Sequence, residues 1–175
     1  MAIPRPPEKA VFFSGILAAS SDLLPVAREA LENAFGPAFM ASEAFSFAHT
    51  GYYLDELGPE PVRVFLAWPD LYPTETIVDA KLATNAMETA LAARIGGAFS
   101  RPVNLDPGYL TQAKLVLASA KNYSHRIHLR DNIYAEITLQ YRQGRFHALP
   151  WTFPDFAAET YHPFFLALRG KIPGT

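Results

Sequence analysis

The 175-residue sequence contains no cysteine, so thiolate catalysis, cysteine-ligated zinc and iron–sulfur centres are all excluded. It has no apolar run approaching the roughly 20 residues of a membrane span, and residues 1–9 are proline-rich rather than a basic segment leading into an apolar one. A cytoplasmic chain without membrane contact is therefore expected. GxxxxGK(S/T), GxGxxG and GxSxG are missing too, which argues against P-loop, Rossmann and α/β-hydrolase chemistry. Charge of one sign is also scarce: 15 Lys+Arg against 17 Asp+Glu give a net charge of -2.

That balance hides an asymmetry. Residues 1–100 carry 6 Lys+Arg and 12 Asp+Glu, and residues 101–175 carry 9 and 5, so the halves differ in sign at -6 and +4. A basic C-terminal half attracts phosphates, but six basic side chains spread over residues 114–145 fall short of a nucleic-acid footprint, and no nucleic-acid partner is expected.

What is present is a hydrophobic content of 50%, 23 aromatic residues and scattered prolines that mark turns. A chain of this size buries roughly 70% of its extended surface and needs no disulfide or structural metal. One domain over 1–175 is expected, with 1–8 flexible, a core over 9–106, and a helix or strand, a meander and a last helix over 107–175.

Val11–Leu17 reads as a strand covered on both faces. Ser21 or Asp22 can cap a helix that buries Leu24, Ala27, Leu31, Ala34 and Phe35 and stops at Gly36-Pro37. Phe39–Phe47 and Val62–Trp68 read as strands, with a short helix or ordered loop around Tyr52, Tyr53, Leu54 and Leu57. Thr74–Ile95 reads as a long helix ending at Gly96-Gly97. With Pro102–Leu105 as the next strand, the order is the split βαββαβ of an α+β, ferredoxin-like core. Asp106-Pro107 offers an N-cap and first helical residue, predicting a helix that buries Leu110, Ala113, Val116, Leu117 and Ala120, although Lys114–Ala118 is equally compatible with a strand.

A C-terminal antiparallel meander follows from requiring paired residues to share a face. A three-residue loop, Arg130-Asp131-Asn132, pairs Leu129 with Ile133, Ile127 with Ala135 and His125 with Ile137, and sets Arg126 opposite Glu136. A two-residue loop, Gln143-Gly144, pairs Tyr141 with Phe146 and Leu139 with Ala148, giving one continuous apolar side. Tyr161, Phe164, Phe165 and Leu168 then fit a final amphipathic helix with Pro163 in its first turn.

Alternation places His125 on the apolar side, where an imidazole needs a partner; it is a satisfied core histidine or a general acid or base lining a pocket. Arg126 and Glu136 read as an exposed cross-strand ion pair unless the long helix or the Trp151 segment covers them. Lys81, Asn85 and Glu88 form a polar stripe on the long helix, facing solvent or a cleft. Asn104, Asp106, Gly108 and Tyr109 cluster where turn chemistry and an anion site are both reasonable readings. Metal ligation is not expected, since His125 and His128 fall on opposite faces of one strand; a convergence of Asp106, Glu136 and Asp155 on His125 is the one arrangement that would supply a site. Beyond the cysteine-ligated metals already excluded, the sequence leaves the cofactor unknown.

The segments Asn104-Leu105-Asp106-Pro107-Gly108-Tyr109-Leu110, Lys114-Leu115-Val116-Leu117-Ala118-Ser119, Ser124-His125-Arg126-Ile127, Tyr134-Ala135-Glu136 and Leu149-Pro150-Trp151-Thr152, together with Lys81 and Asn85, resemble an uncharacterised bacterial family, domain of unknown function forty-four sixteen. The likeness runs from about Lys9 to about Leu168. It implies no activity and no catalytic residues. Some relatives carry a GTP-binding label, but this chain lacks an NKxD guanine-recognition motif.

Two functions compete. The first is a pocket between the long helix and the C-terminal sheet for a small anion, a nucleotide or phosphorylated metabolite. Lys81, Asn85, Asn104, Asp106, Lys121 and Arg126 would bind it, and His125 with Glu136 would supply any hydrolysis or phosphoryl transfer. The second is a noncatalytic module whose Tyr52, Tyr53, Trp151, Phe153 and Phe156 dock a protein partner or a second copy as a homo-oligomer.

Overall fold

The computed structural model describes residues 3–47, 54–97 and 99–173. Its elements are β1 (Ala10–Ala18), α1 (Leu24–Phe35), β2 (Met40–Ala41), β3 (Phe45–Ser46), α2 (Leu54–Leu57), β4 (Val62–Tyr72), α3 (Ile77–Ile95) and β5 (Val103–Leu110). These are followed by β6 (Lys114–Ser119), β7 (Ile127–Arg130), β8 (Ile133–Arg142), β9 (Arg145–Ala148), α4 (Pro154–Ala157) and α5 (His162–Arg169). The fold is α+β. The strands form one large antiparallel sheet in the order β2–β4–β1–β5–β6–β8–β7, with β3 also on β4 and β9 also on β8.

All nine residues of β1 are buried because both faces of the sheet are covered there. On one face, Phe12, Ile16, Leu66, Trp68 and Leu105 meet Ala27 and Leu31 of α1 and Ala80 and Leu91 of α3. On the other, Phe13, Phe65, Leu115, Leu117 and Leu139 meet Phe156 of α4 and Phe164, Phe165 and Leu168 of α5. Phe65 has Phe165 and Tyr161 edge-on at 5.0 and 4.8 Å, the geometry aromatic quadrupoles favour. Pro163 stands in the first turn of α5, where its missing N–H costs nothing. No described helix is long and apolar enough to cross a membrane.

Several expectations need correction. The strand expected over 39–47 exists only as the two-residue pieces β2 and β3. Neither Ser21 nor Asp22 caps α1: a 3-10 turn over Ser21–Leu23 precedes it, and the helix starts without a side-chain cap. Leu54–Leu57 is helical, whereas Tyr52 and Tyr53 lie outside the described residues.

The helix expected after Asp106 is instead the hairpin β5–β6. Val103–Leu110 pairs with β1 along its whole length, with Gly15 opposite Asp106 and Phe13 opposite Gly108. Thr111 closes the turn: its N–H donates to the Lys114 carbonyl at 2.9 Å and its hydroxyl accepts from the Ala113 and Lys114 N–H groups. Gly108 is required by close packing, because a Cβ there would lie 2.6 Å from the Val116 carbonyl oxygen and from the Phe13 ring.

The second meander turn has the expected register, Tyr141 opposite Phe146 and Leu139 opposite Ala148, with Gln143 and Gly144 both at positive φ as a two-residue loop demands. In the first, Ile127 does oppose Ala135, but a bulge sets Arg130, not Leu129, opposite Ile133. A second bulge, opposite Leu115 and Val116, divides the apolar side in two. Ile133 and Ala135 pack with Ile77 and Val78, while Leu139 and Tyr141 pack with the α5 cluster.

Candidate functional site

Pro107 divides the sheet. Gly108, Tyr109 and Leu110 pair with Leu117, Val116 and Leu115, and there the β5–β6 ladder ends, because the next residue has no N–H to offer. Alternation turns Leu105 to the same open side, where its backbone groups need other partners. Side chains of α3 supply them. Lys81 Nζ donates to the Leu105 carbonyl at 3.0 Å, and the Leu105 N–H donates to Glu88 Oε1 at 2.8 Å. The polar stripe of α3 thus replaces a missing strand, and a cleft opens beside it.

Ion pairs bridge the cleft. Arg63, reaching over Gly15, donates to Asp106 Oδ2 at 3.0 Å, and its other Nη lies 3.6 Å from Asp155 Oδ2. Asn104 donates to the same Asp106 oxygen at 2.6 Å. Arg101 grips Glu88 Oε2 with two donors at 3.0 and 2.7 Å and also donates to Asn104. Burial would raise Asp106, but Arg63 and Lys81 overcome it and hold its carboxyl below the ordinary value. At Asp155 and Glu88 burial wins, and both carboxyls are pushed up despite Arg63 in one case and Lys81 with Arg101 in the other. Arg63 Nε, Asp155 Oδ2 and the Tyr161 hydroxyl are buried with no hydrogen-bond partner among the described residues.

The far wall centres on Glu136, whose side chain is 1% exposed. Its Oε2 accepts from Arg126 Nε at 2.6 Å and from His125 Nε2 at 3.0 Å. Arg126 Nη1 donates to Ser119 Oγ at 2.8 Å and the Lys121 carbonyl at 2.9 Å. Trp151 stacks on His125 with centroids 5.3 Å apart and planes 6° from parallel, and its indole N–H donates to the Ile137 carbonyl at 2.9 Å. Arg126 also lies over the Tyr123 ring at 5.4 Å.

Two expectations fail here for one reason. Residues 123–126 are a turn, in which the Arg126 N–H donates to the Tyr123 carbonyl, and β7 starts only at Ile127. Alternation therefore does not apply, so His125 is not opposite Ile137 and sits on Glu136 with Arg126. The Arg126–Glu136 pair is no solvated surface pair: its side chains are only 7% and 1% exposed. β7 itself is open on both faces, with Ile127 71% exposed.

Between these walls lies a cavity of about 660 Å³. Lys81 and Asn85 from α3, Asn104 and Asp106 from β5, Lys121, His125 and Arg126 from the β6–β7 connection, and Glu136 from β8 all line it. The eight residues chosen from sequence are therefore neighbours around one space. Asn104 and Asp106 reach it from inside a strand, not from a helix start. Arg63, Arg101 and the pairing role of Asp155 were not read from the sequence. Arg63 shares alternation with Phe65 and Ala67 in a strand covered on both faces, a pattern that marks it as buried; Arg101 carries no such signal. Of the aromatic residues considered as an interface, Phe156 is in the core, and Trp151 and Phe153, each 38% exposed, line this cavity. Among the described residues no three of His, Asp and Glu group so as to hold a metal ion.

A family model, domain of unknown function (DUF4416), matches residues 8–171. The chain belongs to this family. No curated protein and no solved structure matches it. The DUF4416 match spans both walls of the cleft, from β1 to α5, so every lining residue named above lies within it.

Proposed function

We propose that the protein binds a small anionic molecule, a nucleotide or phosphorylated metabolite, in the cleft between α3 and the C-terminal strands. The observation that carries this reading is charge. Arg63, Lys81, Arg101, Lys121 and Arg126 line one cavity against Asp106, Glu136 and Asp155, with Glu88 behind Lys81 and Arg101. The five cations are met by Asp106, Glu136 and Asp155 in the lining and by Glu88 and Glu56 on Arg101, and burial pushes the Asp155 and Glu88 carboxyls up, which favours their neutral forms and weakens the countercharge. The exposed faces of Tyr123, Trp151 and Phe153 suit the planar or apolar part of such a ligand. The His125–Glu136 pair supports hydrolysis or phosphoryl transfer as the associated chemistry, with His125 as acid or base. A ferredoxin-like origin of the first half is part of the proposal, supported by the antiparallel order β2–β4–β1–β5 with α1 and α3 on one face.

A thermal-shift screen against nucleotides, sugar phosphates, carboxylates and divalent metals tests the reading. A ligand at about a hundred times its Kd adds roughly 2.7 kcal/mol to the folded state, and that gain is expected for at least one anion. Arg126→Ala should abolish it in a protein that still melts cooperatively. A stabilising anion that Arg126→Ala binds equally well would place the site elsewhere. Silence across the panel would shift the assignment to a protein-docking module around Trp151 and Phe153.

A further inference from the structure

The hydrogen bonds around Glu136 determine which nitrogen of His125 is left to a ligand. Glu136 Oε2 accepts from Arg126, so the carboxylate is an acceptor at this point and His125 Nε2 must be the donor. The other nitrogen, Nδ1, then carries a lone pair. It has no hydrogen-bond partner among the described residues and is not one of the side-chain atoms sealed from solvent. Trp151, fixed by its own N–H on the Ile137 carbonyl, holds the ring plane, so neither tautomer nor orientation is free.

The donors left over are few and of the opposite kind. Arg126 uses Nε and Nη1 on Glu136, Ser119 and Lys121, and its Nη2 makes no hydrogen bond among the described residues. The Asn85 side-chain amide makes none either and lines the same cavity. A ligand here meets unpaired donors beside an unpaired acceptor, with carboxylates close by. An anion whose oxygens only accept would leave Nδ1 unmet and face those carboxylates; an anion that keeps an O–H satisfies both kinds of group.

We infer that His125 Nδ1 accepts a hydrogen bond from a protonated oxygen of the bound anion, with Glu136 as the positioning residue that fixes this tautomer, so that the cleft selects hydrogen phosphate groups over sulfate. This rests on the anion-binding reading above and specifies its ligand class. The hydrogen phosphate comes from free phosphate or from a phosphomonoester. The two differ above about pH 7, because a monoester, with its second pKa near 6, has lost its proton while inorganic phosphate retains one.

Calorimetry of the full chain at about pH 8 with sodium phosphate, sodium sulfate and glycerol 2-phosphate at matched ionic strength reads the selection directly. Phosphate is expected to bind at least about tenfold more tightly than sulfate, the difference one unmet buried hydrogen bond makes. His125→Phe, which keeps the ring on Trp151, should bring that ratio near one. Glycerol 2-phosphate, which has lost its proton at this pH, should bind no better than sulfate, which assigns the site to free phosphate; binding as tight as that of inorganic phosphate would overturn the inference. Nitrogen-15 NMR of the unliganded wild type should show Nε2 protonated and Nδ1 bare, and Glu136→Gln should lose that fixed tautomer. Equal binding of sulfate, binding of neither inorganic anion, or a protonated Nδ1 in the wild type would each overturn the inference. A nucleotide or carboxylate that still stabilises the chain in the thermal screen would, in those cases, leave the broader anion reading standing.

Discussion

Arg63 sits 5% exposed between two carboxylates, and its environment makes it costly to remove. Arg63→Met would keep most of the side-chain volume on Phe47 and Phe65 while leaving Asp155 buried without its countercharge and Asp106 with Lys81 alone. A loss of about 3–5 kcal/mol is expected in urea denaturation, and Asp155→Asn added to it should restore part of the loss. The two aspartates also respond oppositely to pH. Asp106 is depressed, so its contribution is present above the unfolded value near 3.9 and is lost as pH falls through its lower folded value. Asp155 is raised, so above about pH 4 the folded state keeps a proton the unfolded chain has released, and stability declines as pH rises. Asp155→Asn should therefore flatten the fall of Tm with pH above about 4 while leaving the acid limb in place. Glu88, raised in the same sense, keeps the slope from vanishing. A Tm profile with the wild-type slope would show that burial does not govern Asp155.

Pro107 ends a ladder, and α3 makes good the loss. Lys81→Met leaves the Leu105 carbonyl without its donor, and a cost of about 1–3 kcal/mol is expected in the same denaturation assay. Gly108→Ala, two pairs along from Asp106, pushes a methyl group into the Val116 carbonyl and should cost a similar about 1–3 kcal/mol, without touching any charged group of the cleft. A neutral result for either would remove its residue from the account of the divided sheet. Around these two residues local and long-range signals conflict. Asp-Pro-Gly is helix-start chemistry locally, and only the long-range pairing of β5 with β1 overrides it. Where a signal is local and unopposed, as in the Gln143-Gly144 turn or the α5 stripe with Pro163, sequence and structure agree. The cleft residues were legible one at a time, because each is polar in an apolar context. Their partners were not: Glu136 is shared by His125 and Arg126 only because residues 123–126 turn, and no period in the sequence specifies that.

Both halves of the chain supply cations to the cleft: residues 1–100 contribute Arg63 and Lys81 to its wall, and residues 101–175 contribute Arg101, Lys121 and Arg126. The halves of the sheet are joined at β5–β6 by three residue pairs, and the outermost strand, β7, is exposed at all four positions whereas β1 is buried at all nine. Local stability follows burial and hydrogen bonding, so the molecule should open in parts before it unfolds as a whole. Amide hydrogen exchange followed by mass spectrometry is expected to show 127–130 exchanging first, 133–142 next, and 10–18 with 62–72 only on global unfolding. Uniform protection across the two halves would mean that α3 and α5 clamp the sheet into a single cooperative unit despite the break at Pro107. Phosphate provides the sharper discrimination. Because the anion would bridge Asn85 on α3 to Arg126 and His125 beyond β6, binding should slow exchange over 119–126 on one side and around Asn85 in the middle of α3 on the other. Protection confined to 119–126 would mean that the anion is held by the Glu136 wall alone and that Asn85 is a bystander.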